Sequence, residues 1–242
     1  MKTSTSCFDC PNVDCFLKLC SPKWIQNIEL NKSEIHYKKG QNIFNVGDYV
    51  SGMYFIKSGK VKVVSNGLND KEQIVRLATD SDILGHRGFG GETYPVSAIA
   101  LDFSLICFVD NETISAAFNH NPQFTVKLML FYAQELRAIE ARITYLAQMT
   151  VREKVALSLL YLIDVFGYDL KEQIINVDIS RADIASICGT NVEQVIRNLS
   201  DFEKDNYIVK EGKKIIIKNE AGLREMLDKY NLVIPAKKQI FS

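Results

Sequence analysis

The sequence predicts an α+β fold: an N-terminal β-roll, one long helix, and a C-terminal winged helix-turn-helix. Three observations predict it. Short apolar runs broken by glycine turns fill residues 23 to about 110. A helical apolar stripe then runs from Leu128 to Leu146. Finally, Ser180 to Asp201, SRADIASICGTNVEQVIRNLSD, reads as helix, tight turn and helix, with two short strands behind it.

Residues 1–22 form a cysteine-rich arm, C-x2-C-x4-C-x4-C, made of Cys7, Cys10, Cys15 and Cys20 and ending at Ser21-Pro22. Thiolates on a short loop can converge on a soft metal centre, and both zinc and iron-sulfur clusters take four of them. The spacing matches neither a zinc ribbon nor a ferredoxin. A zinc knuckle, a redox thiol pair and an arm without a role stay open beside a cluster.

The β region follows. Its runs are Ile35 to Tyr37, Asn42 to Phe44, Met53 to Ile56, Val61 to Ser65, Ile74 to Leu77 and Leu105 to Val109, with turns at Gly47-Asp48 and Ser58-Gly59. Short strands at such spacing predict an antiparallel roll or barrel. Ile83 to Gly91 is a glycine-rich loop. It lacks the Lys-Ser/Thr that would complete a phosphate loop, and no nucleophile–base pair appears, so no enzyme is expected. Residues 111–120 predict a short helix capped by Asn111.

Pro122 opens a helix running to about Met149. Leu128, Tyr132, Leu136, Ile139, Ile143 and Leu146 recur at spacings of 4, 4, 3, 4 and 3, the pattern of a dimer seam. A second helix is predicted over Val151 to Phe166 and a strand over Ile174 to Ile179. The expected domains are therefore 1–22, 23–120, 121–149 and 150–242.

Ser180 is an N-cap residue with Asp183 three places on, and Gly189 ends that helix where a left-handed residue is needed. Asn191 caps the next helix. Val195, Leu199 and Phe202 face inward, leaving Glu193, Gln194, Arg197 and Asn198 outward. Such side chains on a second helix can read base edges in a DNA major groove. Behind them, Asn206 to Val209 and Lys214 to Ile217 predict a wing. The wing carries Lys210, Lys213, Lys214 and Lys218 for phosphate contact. A last helix is expected over Gly222 to Tyr230.

Lys+Arg and Asp+Glu both total 29, so no global basic field drives nonspecific coating of nucleic acid. Specific binding needs only a local basic face. No run of 18 apolar residues and no secretion signal is present, so a cytoplasmic protein with no membrane partner is expected. In that compartment six cysteines, four within the first twenty residues, favour metal or redox chemistry over disulfides.

From about residue 23 to 230 the chain resembles the CRP/FNR family of bacterial transcription regulators. Lys39-Gly40-Gln41, Phe44-Asn45-Val46-Gly47-Asp48, Tyr54 through Val61 and Ser180 through Asn198 carry the resemblance. It implies a cyclic-nucleotide-binding-like double-stranded β-helix, a dimerisation helix and a winged helix-turn-helix. It also implies a homodimer on a palindromic operator in double-stranded DNA, with RNA polymerase as a further partner. Ser180, Asn191, Glu193, Gln194, Arg197, Asn198, Lys213 and Lys214 are the expected DNA contacts. Members that bind cyclic AMP (cAMP) use Phe-Gly-Glu and a downstream Arg-Ala pair. Here Leu84-Gly85-His86 and Pro95-Val96-Ser97-Ala98 stand in those places, so cAMP is not the expected ligand.

Ile83 to Cys107 is similar to the FNR branch, in which an internal cysteine joins three arm cysteines around a four-iron, four-sulfur (4Fe-4S) cluster. The resemblance thus implies Cys107 plus three of Cys7, Cys10, Cys15 and Cys20. Leu19-Cys20-Ser21-Pro22 matches the end of that arm by context, and Cys7 and Cys10 match by spacing. A structural zinc or thiol switch with an unknown effector in the roll is the alternative, and a haem held by His36, His86 or His120 is a weaker one. Two departures matter. Ile139 stands where the branch has an acidic seam residue, and Ile196 replaces a recognition-helix serine.

Overall fold

The structure, a computed structural model, describes residues 6–67, 71–169 and 171–230. The ends of the expected arm and DNA-binding domain, residues 1–5 and 231–242, lie outside the described residues. The chain contacts divide it into two compact units. Among the described residues, one contains 6–66 and 76–132, the other 67, 71–75, 133–169 and 171–230.

The first unit holds an element the sequence reading missed. Ser21-Pro22 does not simply end the arm but opens α1 (Pro22–Asn31). Proline suits the first helical turn because its fixed φ is already helical and its missing N–H has no partner to lose. Ile25 and Ile28 are the buried face.

Eight strands follow: β1 (Ser33–Tyr37), β2 (Asn42–Phe44), β3 (Gly52–Ser58), β4 (Lys60–Asn66), β5 (Glu72–Thr79), β6 (Ile83–Leu84), β7 (Ser97–Ala100) and β8 (Ser104–Asp110). They form two four-stranded sheets, ordered β1-β8-β3-β6 and β2-β7-β4-β5. In β4, Val61 and Val63 point into the roll while Lys60 and Lys62 flank it, the period of two expected for a sheet with one face in the core. β3 is different, being buried from Gly52 through Ile56. Each fully buried apolar side chain there contributes roughly 1.5–3 kcal/mol.

α2 (Asn111–His120) is capped one residue earlier than expected. The Asp110 carboxylate accepts from the Thr113 N–H, while the Asn111 amide donates to the Val50 carbonyl at 2.7 Å. α3 (Pro122–Gln148) matches its expected span, but it does not stand apart as a domain. Phe124, Leu128 and Phe131 are buried in the first unit, and the division between units falls inside the helix.

In the second unit, α4 (Val151–Phe166) starts at a capping box between Thr150 and Glu153. Ile174 to Ile179 is not a regular strand. It makes only isolated bridges, Ile175 to Tyr168 and Ile174 to Ile216, because Gln173 is left-handed and the Val177 N–H turns back to the Ile175 carbonyl. α5 (Arg181–Cys188), α6 (Val192–Lys204), β9 (Ile208–Glu211) and β10 (Lys214–Ile217) complete the winged helix-turn-helix. The expected last helix is shorter, α7 (Glu220–Glu225) followed by a 3-10 turn at Asp228–Tyr230. There the Leu227 N–H bonds Arg224 three residues back, which tightens the chain out of the α-helix.

Tyr230 and Lys229 return to the start of α4, where they bond Glu153 at 2.9 and 2.6 Å. Burial alone would raise the Glu153 carboxyl, but the Lys229 ammonium and the Thr150 and Tyr230 donors outweigh it and hold it at about 2. A depressed carboxylate contributes stability that is full above its unfolded value, about 4.3, and is lost as pH falls toward the folded one. Thermal melts of Glu153→Gln from pH 7 to pH 2 are therefore expected to show the largest deficit against the wild type at neutral pH and convergence toward pH 2. Thr150→Ala should cost about 1 kcal/mol through the lost cap.

Candidate nucleic-acid interface and metal centre

The helix-turn-helix is built by its caps. Ser180 and Asp183 form a reciprocal capping box at α5, with the Asp183 N–H donating to Ser180 Oγ at 3.0 Å. Gly189 ends α5 at φ +64°, a conformation that costs a residue with a Cβ roughly 1–2 kcal/mol. Asn191 then caps α6, its side-chain oxygen accepting from the Gln194 N–H at 2.9 Å. Ser180 and Asn191 thus position the helix ends and remain exposed.

Val195, Leu199 and Phe202 form the buried stripe of α6, and Glu193, Ile196 and Arg197 are exposed with Gln194 half-buried. Asn198 corrects the sequence reading. It is 8% exposed and its amide donates to the Gln194 carbonyl at 2.8 Å, so it does not face outward as a base reader. Its place could have been found, since it lies three residues after Val195 and four before Phe202.

β9 and β10 pair antiparallel from Lys214 opposite Glu211 to Ile217 opposite Ile208. Lys213 and Lys214 are exposed at the tip. Lys210 is engaged instead, with Ser200 Oγ at 2.9 Å and Glu203 at 3.1 Å. A residue that sequence reasoning missed is Arg181. Its guanidinium donates to the Gly212 and Lys213 carbonyls at 3.3 and 3.4 Å, tying the wing tip to the start of α5. Cys188 lies in the core, where its thiol donates to the Lys154 carbonyl at 3.4 Å.

On α3, the expected seam divides. Leu128 is buried, and the Tyr132 hydroxyl donates to the His86 carbonyl. Leu136, Ile139 and Ile143 are exposed, Leu146 is half-buried, and Val126, Met129 and Leu130 add an exposed apolar stretch nearer the start of the helix. Leu128 therefore packs with its own roll, and the open stripe begins at Val126.

The arm lies against the roll. The Asn12 amide donates to the Ile56 and Lys57 carbonyls at 3.2 and 2.6 Å. Phe16 is 2% exposed and meets the Phe131 ring edge-on at 5.3 Å. The Ser21 N–H bonds the buried Asn121 side chain at 2.8 Å, and Glu29 accepts from the Cys7 N–H and from Ser6 Oγ. Cys7, Cys20 and Cys107 are buried, and Cys10 and Cys15 are half-buried.

Cys107 sits mid-strand in β8, opposite Glu34 of β1 on one side and Phe55 of β3 on the other. Burial pushes its thiol up to about 12, countered by the Lys32 charge and reinforced by Glu34, Cys15 and Cys7. Burial likewise pushes Cys15 up to about 11, with Cys7 and Cys10 adding to it. Burial is also what raises Cys7, ahead of the opposing Lys32 charge. Cys20 is pushed up to about 12 by burial, and Cys15 alone of the thiols adds to it. Cys15 thus acts on both Cys20 and Cys107 and is itself acted on by Cys7 and Cys10.

Cys7, Cys15 and Cys107 lie close enough to act on one another's charge, and thiolates are the soft donors that zinc and iron-sulfur clusters take. Among the described residues, no group of three or more His, Cys, Asp or Glu side chains is placed to hold a single metal ion. A reactive redox thiol needs a lowered pKa, and burial raises those of Cys7, Cys15, Cys20 and Cys107.

A cleft in the roll is lined by Phe44, Arg76, Leu84, His86 and Tyr94, among others. Tyr94 plugs it. It is 2% exposed, stacks on Phe44 at 4.3 Å, and its hydroxyl donates to the Gly52 carbonyl at 2.8 Å. Gly88 is required beneath that ring, since a Cβ there would stand 2.8 Å from Tyr94 Cδ1. His86 is buried between Phe131 and Tyr132, and burial, with the Arg76 and Arg87 charges, drives its pKa well below the ordinary value. His36 stacks on Phe103 and His120 on Trp24.

Comparison with known proteins places these features. Residues 34–121 match the cyclic nucleotide-binding domain and residues 153–226 the Crp-like helix-turn-helix domain. The chain is 30% identical over 187 residues to the transcriptional activator protein anr of Pseudomonas aeruginosa, covering 77% of each chain. It is 28% identical over 223 residues to the fumarate and nitrate reduction regulatory protein of Vibrio cholerae, covering 88% of each. In structure it is similar to FixK2 from Bradyrhizobium japonicum, with a TM-score of 0.72 and 23% identity over 80% of this chain and 96% of that one. No helix among the described residues is long and apolar enough to cross a membrane.

Phe16→Ala should remove the arm's main apolar anchor, at a cost of roughly 3–5 kcal/mol for a buried phenylalanine. Trypsin is then expected to cut at Lys18 many-fold faster, with the rest of the chain unchanged. Unaltered cleavage would mean that Asn12 and Ser21 hold the arm without it.

Proposed function

The chain belongs to the CRP/FNR family of bacterial transcription regulators, and on that premise we propose that it is a homodimeric regulator sensing oxygen, nitric oxide or redox state through a 4Fe-4S cluster. It binds DNA and regulates transcription, as its helix-turn-helix and its relatives indicate. The observation carrying the sensing reading is the position of Cys107, buried mid-strand beneath an arm with four more cysteines.

Cys7, Cys10, Cys15 and Cys107 are the ligands this reading favours. Burial is the main cause of the raised pKa of Cys15, Cys107 and Cys20, to which Cys7 and Cys10 add at Cys15, Cys15 and Cys7 at Cys107, and Cys15 at Cys20. Bound there, the cluster supplies oxygen-sensitive redox chemistry. The arm's own part is positional: Asn12 and Phe16 hold its cysteines against β3 and α3. The raised thiol pKa values lend less support to a thiol switch. Tyr94 in the roll cleft argues against a cyclic nucleotide as effector.

For DNA, Glu193, Gln194 and Arg197 are the base readers and Lys213 and Lys214 the phosphate contacts of this reading. Ile196 can meet a thymine methyl. Arg181 holds the wing for that contact. The open stripe Val126, Met129, Leu136, Ile139 and Ile143 is the dimer seam, with Ile139 favouring dimerisation without a signal. RNA polymerase is the partner expected at a promoter.

Anaerobic purification with a visible spectrum and iron and sulfide analysis tests the sensor. A broad band that bleaches in air and is lost in Cys107→Ser is expected. Colourless, iron-free protein would overturn the cluster and leave the regulator. Arg197→Ala should lose about 1–3 kcal/mol of operator affinity, read by titration at fixed salt, and keep its fold. Ile143→Glu should shift the dimer toward monomer in sedimentation.

A further inference from the structure

Lys32 is one of the most buried charged residues described, at 7% exposure, and it lies at the sulfur end of the roll. The chain brings it there by ending α1 one residue before β1, with the Lys32 N–H closing the helix on the Ile28 carbonyl. A lysine is rarely buried unless it is paired. Its ammonium donates to Cys7 Sγ at 3.3 Å and to Glu34 Oε1 at 3.3 Å. Glu34 in turn accepts from Lys57 at 3.2 and 3.1 Å, so two ammonium groups share one carboxylate. Glu34 is also the β1 residue directly opposite Cys107. The network therefore touches both the arm and the strand that are joined in the cluster reading.

Hydrogen bonds to ligand sulfurs and nearby charge are among the features that set an iron-sulfur centre's potential. A cation bonded to a thiolate ligand stabilises the more negative state of the centre. Air oxidation moves one electron from the iron-sulfur core to dioxygen, and such a cation makes that electron harder to remove.

We propose that Lys32 is a positioning residue for the sulfur centre, its buried ammonium bonding the Cys7 sulfur and slowing oxidative loss of the cluster. This rests on the cluster reading above. Glu34 acts in the opposite sense, since it draws part of the ammonium away from sulfur. The arrangement makes the oxygen threshold a property of β1 as well as of the cysteines.

The test uses full-length protein, reconstituted without oxygen with iron and sulfide, as wild type, Lys32→Met, Lys32→Arg and Glu34→Gln. Midpoint potential and the half-life of the visible band in air-saturated buffer are read. Lys32→Met should lower the potential and bleach several-fold faster. Glu34→Gln should raise the potential and bleach more slowly, and Lys32→Arg should stay near wild type. A purely structural role predicts that Met and Gln shift stability of the band in the same direction, and that result would overturn the proposal. So would an unchanged potential in Lys32→Met. If that variant takes up no iron, the sign of the Glu34→Gln shift decides. Wild-type protein that takes up no iron overturns the cluster reading itself, and this proposal with it.

Discussion

The pairing of β8 with β1 on one side and β3 on the other is the constraint on which the proposed sensor site depends. It fixes Cys107 mid-sheet, opposite Glu34 and Phe55, where no loop motion can carry it off. In the proposed cluster reading, further sulfurs must come to it. The arm does so by anchoring on features of the same unit: the β3 carbonyls through Asn12, the Phe131 ring through Phe16, and Asn121 through Ser21. Burial raises the thiols of Cys7, Cys15, Cys20 and Cys107. Such an arm suits metal ligation better than disulfide exchange.

The DNA end solves a different problem with different means. Here the surface that matters must stay exposed while its backbone stays rigid. Two caps and one left-handed glycine achieve this without engaging the outer face of α6. The side chains of the inner face do the packing, and Asn198 belongs to them. Arg181 extends the same logic to the wing, its guanidinium bonding the Gly212 and Lys213 carbonyls while the Lys213 and Lys214 side chains stay exposed.

α3 serves both ends because its faces differ along its length. Its first turns are committed to the roll through Phe124, Leu128 and Phe131. Beyond Tyr132, Leu136, Ile139 and Ile143 are exposed among the described residues, and Leu146 is half-buried. A stripe that is half core and half seam looks continuous in sequence, since both uses require the same 3-and-4 spacing.

The sequence by itself determined the elements whose signals are local. α3, α4 and the helix-turn-helix could be read from caps, Pro122 and apolar period, and the roll from glycine-punctuated strands. The cysteines and exposed lysines were equally legible as chemistry. Only the tertiary structure decided which residues share a place. Cys15 among the other sulfurs, Lys32 against Cys7, Tyr94 in the roll cleft and Leu128 against its own unit are contacts across distant stretches, set by packing rather than by spacing. Helix α1 and the irregular path of Ile174 to Ile179 escaped for the same reason. A ten-residue helix with only two buried side chains leaves a faint period, and an apolar run becomes a strand only where a neighbour offers an edge to pair with.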